Sequence, residues 1–319
     1  MKVEMRKPFG LDYTDFYSQL STFHFRDVLL LKDKMDLTDI NTVKRVLSRH
    51  GFTFSKSLGQ NFITDPTVCP KMADLCGVTA DAGVIEIGPG CGVLTVELAR
   101  RAAKVVTIEL DARLLPVLAE TLDGCRNVEV VNADVLKTDL AALIEERFAG
   151  MPVYVCANLP YYITSPVVMY LLQSRLPVEN ITVMVQKEAA ERLCADVGQR
   201  ESGAVTVAVN YYARAERLFG VGRDSFTPAP KVDSEVIRLT PRKEPPVTVA
   251  DEKRFFAVVR AAFSQRRKTA ANGLSSGLTL PKERVFAALE AAGLPASVRA
   301  ETLNMEQLAR LAEALDNRQ

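Results

Sequence analysis

Asn158-Leu159-Pro160-Tyr161 is the stretch of this 319-residue chain whose residue types could do chemistry on a flat, amine-bearing ring. Pro160 has no N–H to donate and biases Leu159 towards an extended backbone, which frees the Leu159 carbonyl to point away from its own chain. Asn158 adds a second neutral acceptor and Tyr161 a flat face. Two acceptors and an aromatic platform suit a planar ring carrying an exocyclic NH2, and adenine is one. Three acids stand at comparable places: Glu86 before Gly88-Pro89-Gly90-Cys91-Gly92, Glu109 about twenty residues beyond the glycines, and Asp134 in Asn132-Ala133-Asp134. The glycines allow close backbone approach to a ligand. Their G-x-G-x-G spacing is not the G-x-G-x-x-G of dinucleotide binders, and Glu86 would repel a pyrophosphate but favour a cationic amino group. Glu109 can accept both hydroxyls of a ribose, and Asp134 an adenine amino group.

These residues need elements to hold them. Val84–Ile87, Val105–Ile108, Val128–Val131 and Val153–Val155 are short β-branched runs that read as buried strands, each ending at one of the polar groups. Helical patterns alternate with them, as at 93–101, which predicts a parallel, doubly wound sheet with right-handed crossovers. Ligands bind at the strand ends of such sheets. Glu235–Leu239 reads as a last strand and 240–246, with three prolines, as a linker. Beyond it the apolar spacing of Phe255, Phe256, Val258, Val259 and Ala262, then Val285, Ala288 and Leu289, is helical. Residues 1–38 are read as an amino-terminal extension of unknown role, 39–240 as the ligand-binding domain and 241–319 as a small helical domain. Arg260, Arg266, Arg267 and Lys268 concentrate positive charge in that last part and suit a phosphate backbone, making it a candidate nucleic-acid-binding domain, for which the resemblance given below implies RNA.

Composition narrows the function classes. The hydrophobic fraction of 48% and the net charge of +1 fit a globular protein. No apolar run approaches the roughly 20 residues of a membrane span, so no membrane partner is expected. The six cysteines form no C-x-x-C pair, so the chain reads as cytoplasmic and free of structural metal. His24 and His50 are the only histidines and neither adjoins a chemical motif, which removes Ser-His-Asp and histidine-metal chemistry.

In order and spacing, the motifs from residue 39 to 319 resemble the S-adenosylmethionine-dependent rRNA adenine N6-dimethyltransferases of the bacterial KsgA/RsmA family. The carrying segments are Ser57–Phe62, Glu86–Gly92, Glu109–Asp111, Asn132–Leu136, Asn158–Tyr162, Gln186–Glu188, Phe226–Ser234 and Phe263–Thr269. The resemblance implies a Rossmann-like class I methyltransferase sheet with a small all-α carboxy-terminal domain. It implies S-adenosylmethionine as cofactor, held by Gln60, Asn61, Phe62, Glu86, Gly88, Gly90, Glu109, Leu110, Asp134, Val135 and Asn158. The implied substrate is 16S rRNA in the immature 30S subunit, dimethylated on two adjacent adenines near its 3′ end, and the default state is a monomer. Asn158, Leu159, Pro160, Tyr161 and Phe226 are the expected catalytic set. Asn158 and Leu159 would accept the two N–H bonds of the target amine, with Tyr161 and Phe226 stacking on the extruded base. Two alternatives stay open: a 23S rRNA methyltransferase of the macrolide-resistance type, and an assembly checkpoint that acts mainly by binding the immature subunit.

Overall fold

A computed structural model describes residues 35–52, 61–265 and 267–316. The amino-terminal extension up to residue 34, most of the Ser57–Phe62 segment including Gln60, and Arg266 lie outside the described residues. From Leu37 onwards the chain forms one folded unit, which holds all the elements named below.

Helix α1 (Ile40–Arg49) starts where the Asp39 carboxylate accepts from the backbone N–H groups of Asn41 and Thr42, and it buries Val43, Val46 and Leu47. A two-stranded antiparallel sheet pairs β1 (Phe62–Ile63) with β8 (Phe226–Thr227). Helix α2 (Val68–Cys76) leads into β2 (Gly83–Ile87), and from there strands and helices alternate. They are α3 (Val93–Ala99), β3 (Lys104–Glu109), α4 (Leu115–Thr121), β4 (Val128–Asn132), α5 (Leu140–Phe148), β5 (Val153–Asn158), α6 (Thr164–Gln173) and β6 (Ile181–Gln186). Helices α7 (Lys187–Leu193) and α8 (Ala204–Tyr212) precede β7 (Ala213–Val221), and β9 (Ser234–Pro241) follows β8. The large sheet runs β4-β3-β2-β5-β6-β9-β7.

The two-residue strand period gives the sheet two apolar faces. Ile85, Val106, Val155, Val183 and Ile237 pack with α5, α6 and α8, whereas Val84, Val105, Cys156, Met184 and Val236 pack with α2 and α3. The chain reverses its path between β3-β2 and β5-β6, so the ends of β2, β3, β4 and β5 open into one crevice.

An all-parallel sheet is not what forms. β9 is antiparallel to both β6 and β7, and β7 is a strand the apolar pattern does not mark. Its outward residues are charged: Arg217 forms a two-pronged ion pair with Glu235, and Arg238 on β9 reaches Glu216 at 2.7 Å. These cross-strand pairs take the place of apolar alternation at a sheet edge. The stretch read as a linker is in part structured, since β9 extends to Pro241 and Arg242 Nε donates to the carbonyls of Asn210 and Ala213.

Four further helices, α9 (Glu252–Ala262), α10 (Ala270–Leu278), α11 (Lys282–Ala291) and α12 (Met305–Asp316), share a continuous core with α6 and α8. An aromatic cluster makes the join: Tyr212 stacks on Phe256 with centroids 5.4 Å apart, and Tyr211 meets Phe256 edge-on at 5.2 Å. Gly273 and Gly277 bring α10 against α9, where a Cβ at Gly277 would lie 2.7 Å from that of Ala261.

Candidate active site

Every described residue expected to hold cofactor or target lines a single cavity at the strand ends. On one side stand Asn61, Phe62, Glu86, Gly88, Gly90, Glu109, Leu110, Asp134 and Val135; on the other stand Asn158, Leu159, Pro160, Tyr161 and Phe226. The predicted phosphate-binding residues are elsewhere. Arg260 is exposed at the end of α9, and Arg267 and Lys268 are exposed between α9 and α10; none lines the cavity.

The acidic side is built on the sheet. Gly88, Gly90 and Gly92 all have positive φ, between 59° and 87°, a backbone that side chains rarely tolerate, so this turn is specified by glycine. Gly88 N–H donates to the Ile108 carbonyl at 3.0 Å, tying the turn to β3. Phe62 covers Gly90, held in place by the pairing of β1 with β8.

Glu86 is 1% exposed and sits opposite Thr107 in the β2-β3 register. Burial pushes its carboxyl up to about 7; the nearby Thr95 and Thr107 hydroxyls temper the rise and the Glu109 charge adds to it. Neither hydroxyl reaches hydrogen-bond geometry, however. Glu86 Oε2, Thr95 Oγ1 and Thr107 Oγ1 are all buried without a hydrogen-bond partner among the described residues. Three orphaned polar atoms are costly unless a ligand or water satisfies them, and Glu86 of the three lines the cavity.

Glu109 closes β3 and is mostly buried, which raises its pKa, although the backbone N–H groups of Asp111 and Gly90 counter the rise. Its Oε1 accepts from Asp111 N–H at 2.7 Å. The Glu109 carbonyl takes Ala133 N–H and Asn132 Nδ2, fixing the end of β3 to that of β4. Asp134 accepts from Leu136 N–H at 3.0 Å and lies 3.5 Å from Lys137 Nζ, leaving lone pairs towards the cavity. The set fits a ligand with a cationic end, a diol and an aromatic amine: Glu86 for the cation, Glu109 for the diol and Asp134 for the amine.

The opposite side carries no charge. Asn158 is the last residue of β5, beside Met184 of β6, and Leu159 N–H donates to the Met184 carbonyl at 3.2 Å. That bond turns the Leu159 side chain inward, where it is 1% exposed. The Asn158 carboxamide has no hydrogen-bond partner among the described residues, and neither does the Leu159 carbonyl. Tyr161 is anchored at its hydroxyl, 2.8 Å from Ser234 Oγ on β9. Phe226 is 4% exposed and borders the cavity through its pairing with Ile63.

Sequence reasoning passed over Thr95, Thr107 and Tyr162. The two threonines sit inside runs that read as ordinary helix and strand. Tyr162 reads as a turn tyrosine, yet it is 54% exposed at the cavity mouth. Among the described residues, no group of His, Cys, Asp and Glu could hold a metal ion, the six cysteines are unbridged, and no helix is long and apolar enough to cross a membrane.

The ribosomal RNA adenine dimethylase family model matches residues 51–317. The chain is 50% identical over 284 residues to the ribosomal RNA small subunit methyltransferase A of Geobacillus thermodenitrificans, covering 88% of this chain and 97% of the relative. Its identity to the protein of the same name from Streptococcus pneumoniae is 47%, covering 88% and 98%. Among solved structures, a dimethyladenosine transferase from Plasmodium falciparum is 27% identical with a TM-score of 0.63, over 78% of this chain and 95% of that one. The 23S rRNA methyltransferase ErmE is 34% identical with a TM-score of 0.59, over 81% and 100%. By the extent of these matches, the chain belongs to the ribosomal RNA adenine dimethylase family.

Proposed function

We propose that this protein transfers methyl groups from S-adenosylmethionine to the N6 atoms of two adjacent adenines near the 3′ end of 16S rRNA, giving N6,N6-dimethyladenine during small-subunit assembly. The observation that carries this reading is the pair of uncommitted neutral acceptors at the end of β5, facing three carboxylates across one cavity. The 46 to 50% identity to small-subunit enzymes over most of the chain supports the choice of RNA. The acidic side fits the cofactor's ammonium at Glu86, its ribose at Glu109 and its adenine at Asp134. When bound, the cofactor supplies an activated methyl on a sulfonium.

The protein's task is then to prepare the amine. The N6 lone pair of adenine is delocalised into the ring and is a poor nucleophile. Asn158 Oδ1 and the Leu159 carbonyl accept its two N–H bonds, which favours a pyramidal nitrogen whose lone pair is directed at the methyl. The same two dipoles stabilise the positive charge that develops on nitrogen, and the proton is lost afterwards from an acidic ammonium, so no strong base is needed. Neutrality spares the pocket the cost of a further buried anion. Tyr161, anchored on Ser234, and the buried Phe226 hold the extruded base. Exposed Arg260, Arg267 and Lys268 and the helical part bind rRNA phosphates in the immature 30S particle. A monomer in the cytoplasm is sufficient for this role.

Methyl transfer from labelled cofactor to small-subunit particles lacking dimethyladenine, with 23S rRNA as parallel substrate, tests the reading by nucleoside analysis. The expected product is N6,N6-dimethyladenine in the small subunit alone. Label confined to 23S rRNA would move the protein to the resistance enzymes, as the likeness to ErmE allows.

A further inference from the structure

A second groove opens next to the cavity mouth, with a volume of about 540 Å3, bordered by Lys187, Glu188, Glu191, Arg223, Lys231 and Asp233. Ser234 joins the two openings. Ser234 follows Asp233, pairs with Gln186 and bonds the hydroxyl of Tyr161. Two of the groove's acids are already engaged: Glu188 pairs with Arg192, and Asp233 Oδ1 accepts from Arg223 N–H at 3.0 Å. Its lysines are not engaged. Lys187 donates its backbone N–H to the Asp233 carbonyl, and the ammonium groups of Lys187 and Lys231 have no ion-pair partner among the described residues. At the mouth, Tyr162 is 54% exposed and its phenol makes no hydrogen bond among the described residues, while Val232 is 44% exposed beside Lys231. An exposed aromatic that follows Tyr161 in the chain, with unpaired lysines in the groove that Ser234 joins to Tyr161, has the components of a stacking platform for single-stranded nucleic acid.

We propose that Tyr162, with Lys187 and Lys231, forms a docking track for the nucleotide next to the extruded adenine: Tyr162 stacks on its base and the two lysines hold its phosphates. The inference rests on the methyltransferase reading above and adds positioning residues to it. Tyr161 and Tyr162 then divide the labour. Tyr161, anchored and half-buried, serves the reacting base, and Tyr162, unanchored and exposed, serves its neighbour. With two adjacent target adenines, the track keeps the second base at the mouth while the first reacts.

Steady-state methylation of small-subunit particles lacking dimethyladenine, alongside S-adenosylmethionine affinity, tests this in the full chain. Tyr162→Ala should lower kcat/KM for particles roughly 10- to 100-fold, mainly through KM, as expected for loss of one stacked base. Tyr162→Phe should restore activity to within about threefold, because stacking does not need the hydroxyl. Cofactor affinity should stay within about twofold of the parent in both, which a general disturbance of the site would not allow. Lys187→Ala combined with Lys231→Ala should flatten the salt dependence of log kcat/KM by about 1.4, the contribution of two single-strand phosphate contacts. Parental kcat/KM in Tyr162→Ala, a Phe variant as impaired as the Ala variant, or an unchanged salt slope would overturn the track while leaving the methyltransferase reading intact. A parent protein that labels no small subunit would overturn both.

Discussion

The two sides of the cavity are built on opposite electrostatic plans. The cofactor side ends three neighbouring strands in carboxylates, two of them buried, and leaves Glu86 Oε2 without a partner among the described residues. The target side ends β5 in a carboxamide and a backbone carbonyl, with no ionisable group except the tyrosine phenols. The difference teaches how the reaction is divided. On the proposed reading, charge is placed where the ligand is already cationic and can satisfy it. On the same reading, neutral dipoles are placed where positive charge appears only as the bond forms, where they would stabilise the transition state more than the ground state.

The sharpest way to break that comparison is at Asn158. Asn158→Ala should reduce kcat roughly 100- to 1000-fold, the usual loss for one preorganised dipole, while changing cofactor affinity only a few-fold. Equal losses in kcat and cofactor binding would mean that the two sides are not functionally separate. Glu109→Ala should give the mirror image, weakening cofactor binding roughly 10- to 100-fold through loss of charged hydrogen bonds, with kcat near parental at saturating cofactor.

Acidity offers a finer test on the cofactor side. Glu86 has a folded pKa raised from 4.5 to about 7, so in the free protein the carboxyl holds a proton that the unfolded chain has already released. Its contribution to stability is therefore complete below about pH 4.5 and is lost as pH rises through 7. A cationic ligand selects the ionised form, which reverses the trend for binding. Cofactor affinity should rise roughly tenfold between about pH 6 and 8, following the ionised fraction of a group with pKa near 7. Glu86→Gln should flatten that profile and remove the matching pH dependence of melting in the free protein. A parental profile in Glu86→Gln would assign the titration to another group.

The strand-end acids were legible because each follows a short β-branched run, and a run plus a terminal polar group needs no tertiary information to be read. Asn158 was legible for the same reason. Elements stabilised by distant partners were not. β7 hides behind Arg214, Glu216 and Arg217 because its register is set by ion pairs to β9, so apolar alternation never appears. β1 and β8 are two residues each, too short for any period, yet their pairing brings Phe62 and Phe226 to the cavity from 164 positions apart in sequence. The roles open to Thr95 and Thr107 come from burial beside Glu86, and burial of a single hydroxyl leaves no trace in composition. The join between sheet and carboxy-terminal helices was legible only in part. The helical spacing of Phe255 and Phe256 shows, but their stacking on Tyr211 and Tyr212 does not.

The smallest expected effect lies farthest from the chemistry. Arg260, Arg267 and Lys268 are exposed and outside the cavity, so on the proposed reading they contact RNA phosphates away from the reacting base. Replacing Arg267 or Lys268 by alanine should leave kcat and cofactor affinity unchanged, and should reduce the salt slope of RNA binding by about 0.7 to 0.9 for each phosphate no longer neutralised. This differs in kind from the Tyr162 effect, because a stacked base persists at high salt whereas a phosphate contact is screened. Particle affinity measured from low to high salt therefore separates the two surfaces. Variants of the helical patch should converge with the parent as salt rises, and Tyr162→Ala should remain displaced. Convergence of both would mean that the mouth, like the helices, contributes only charge.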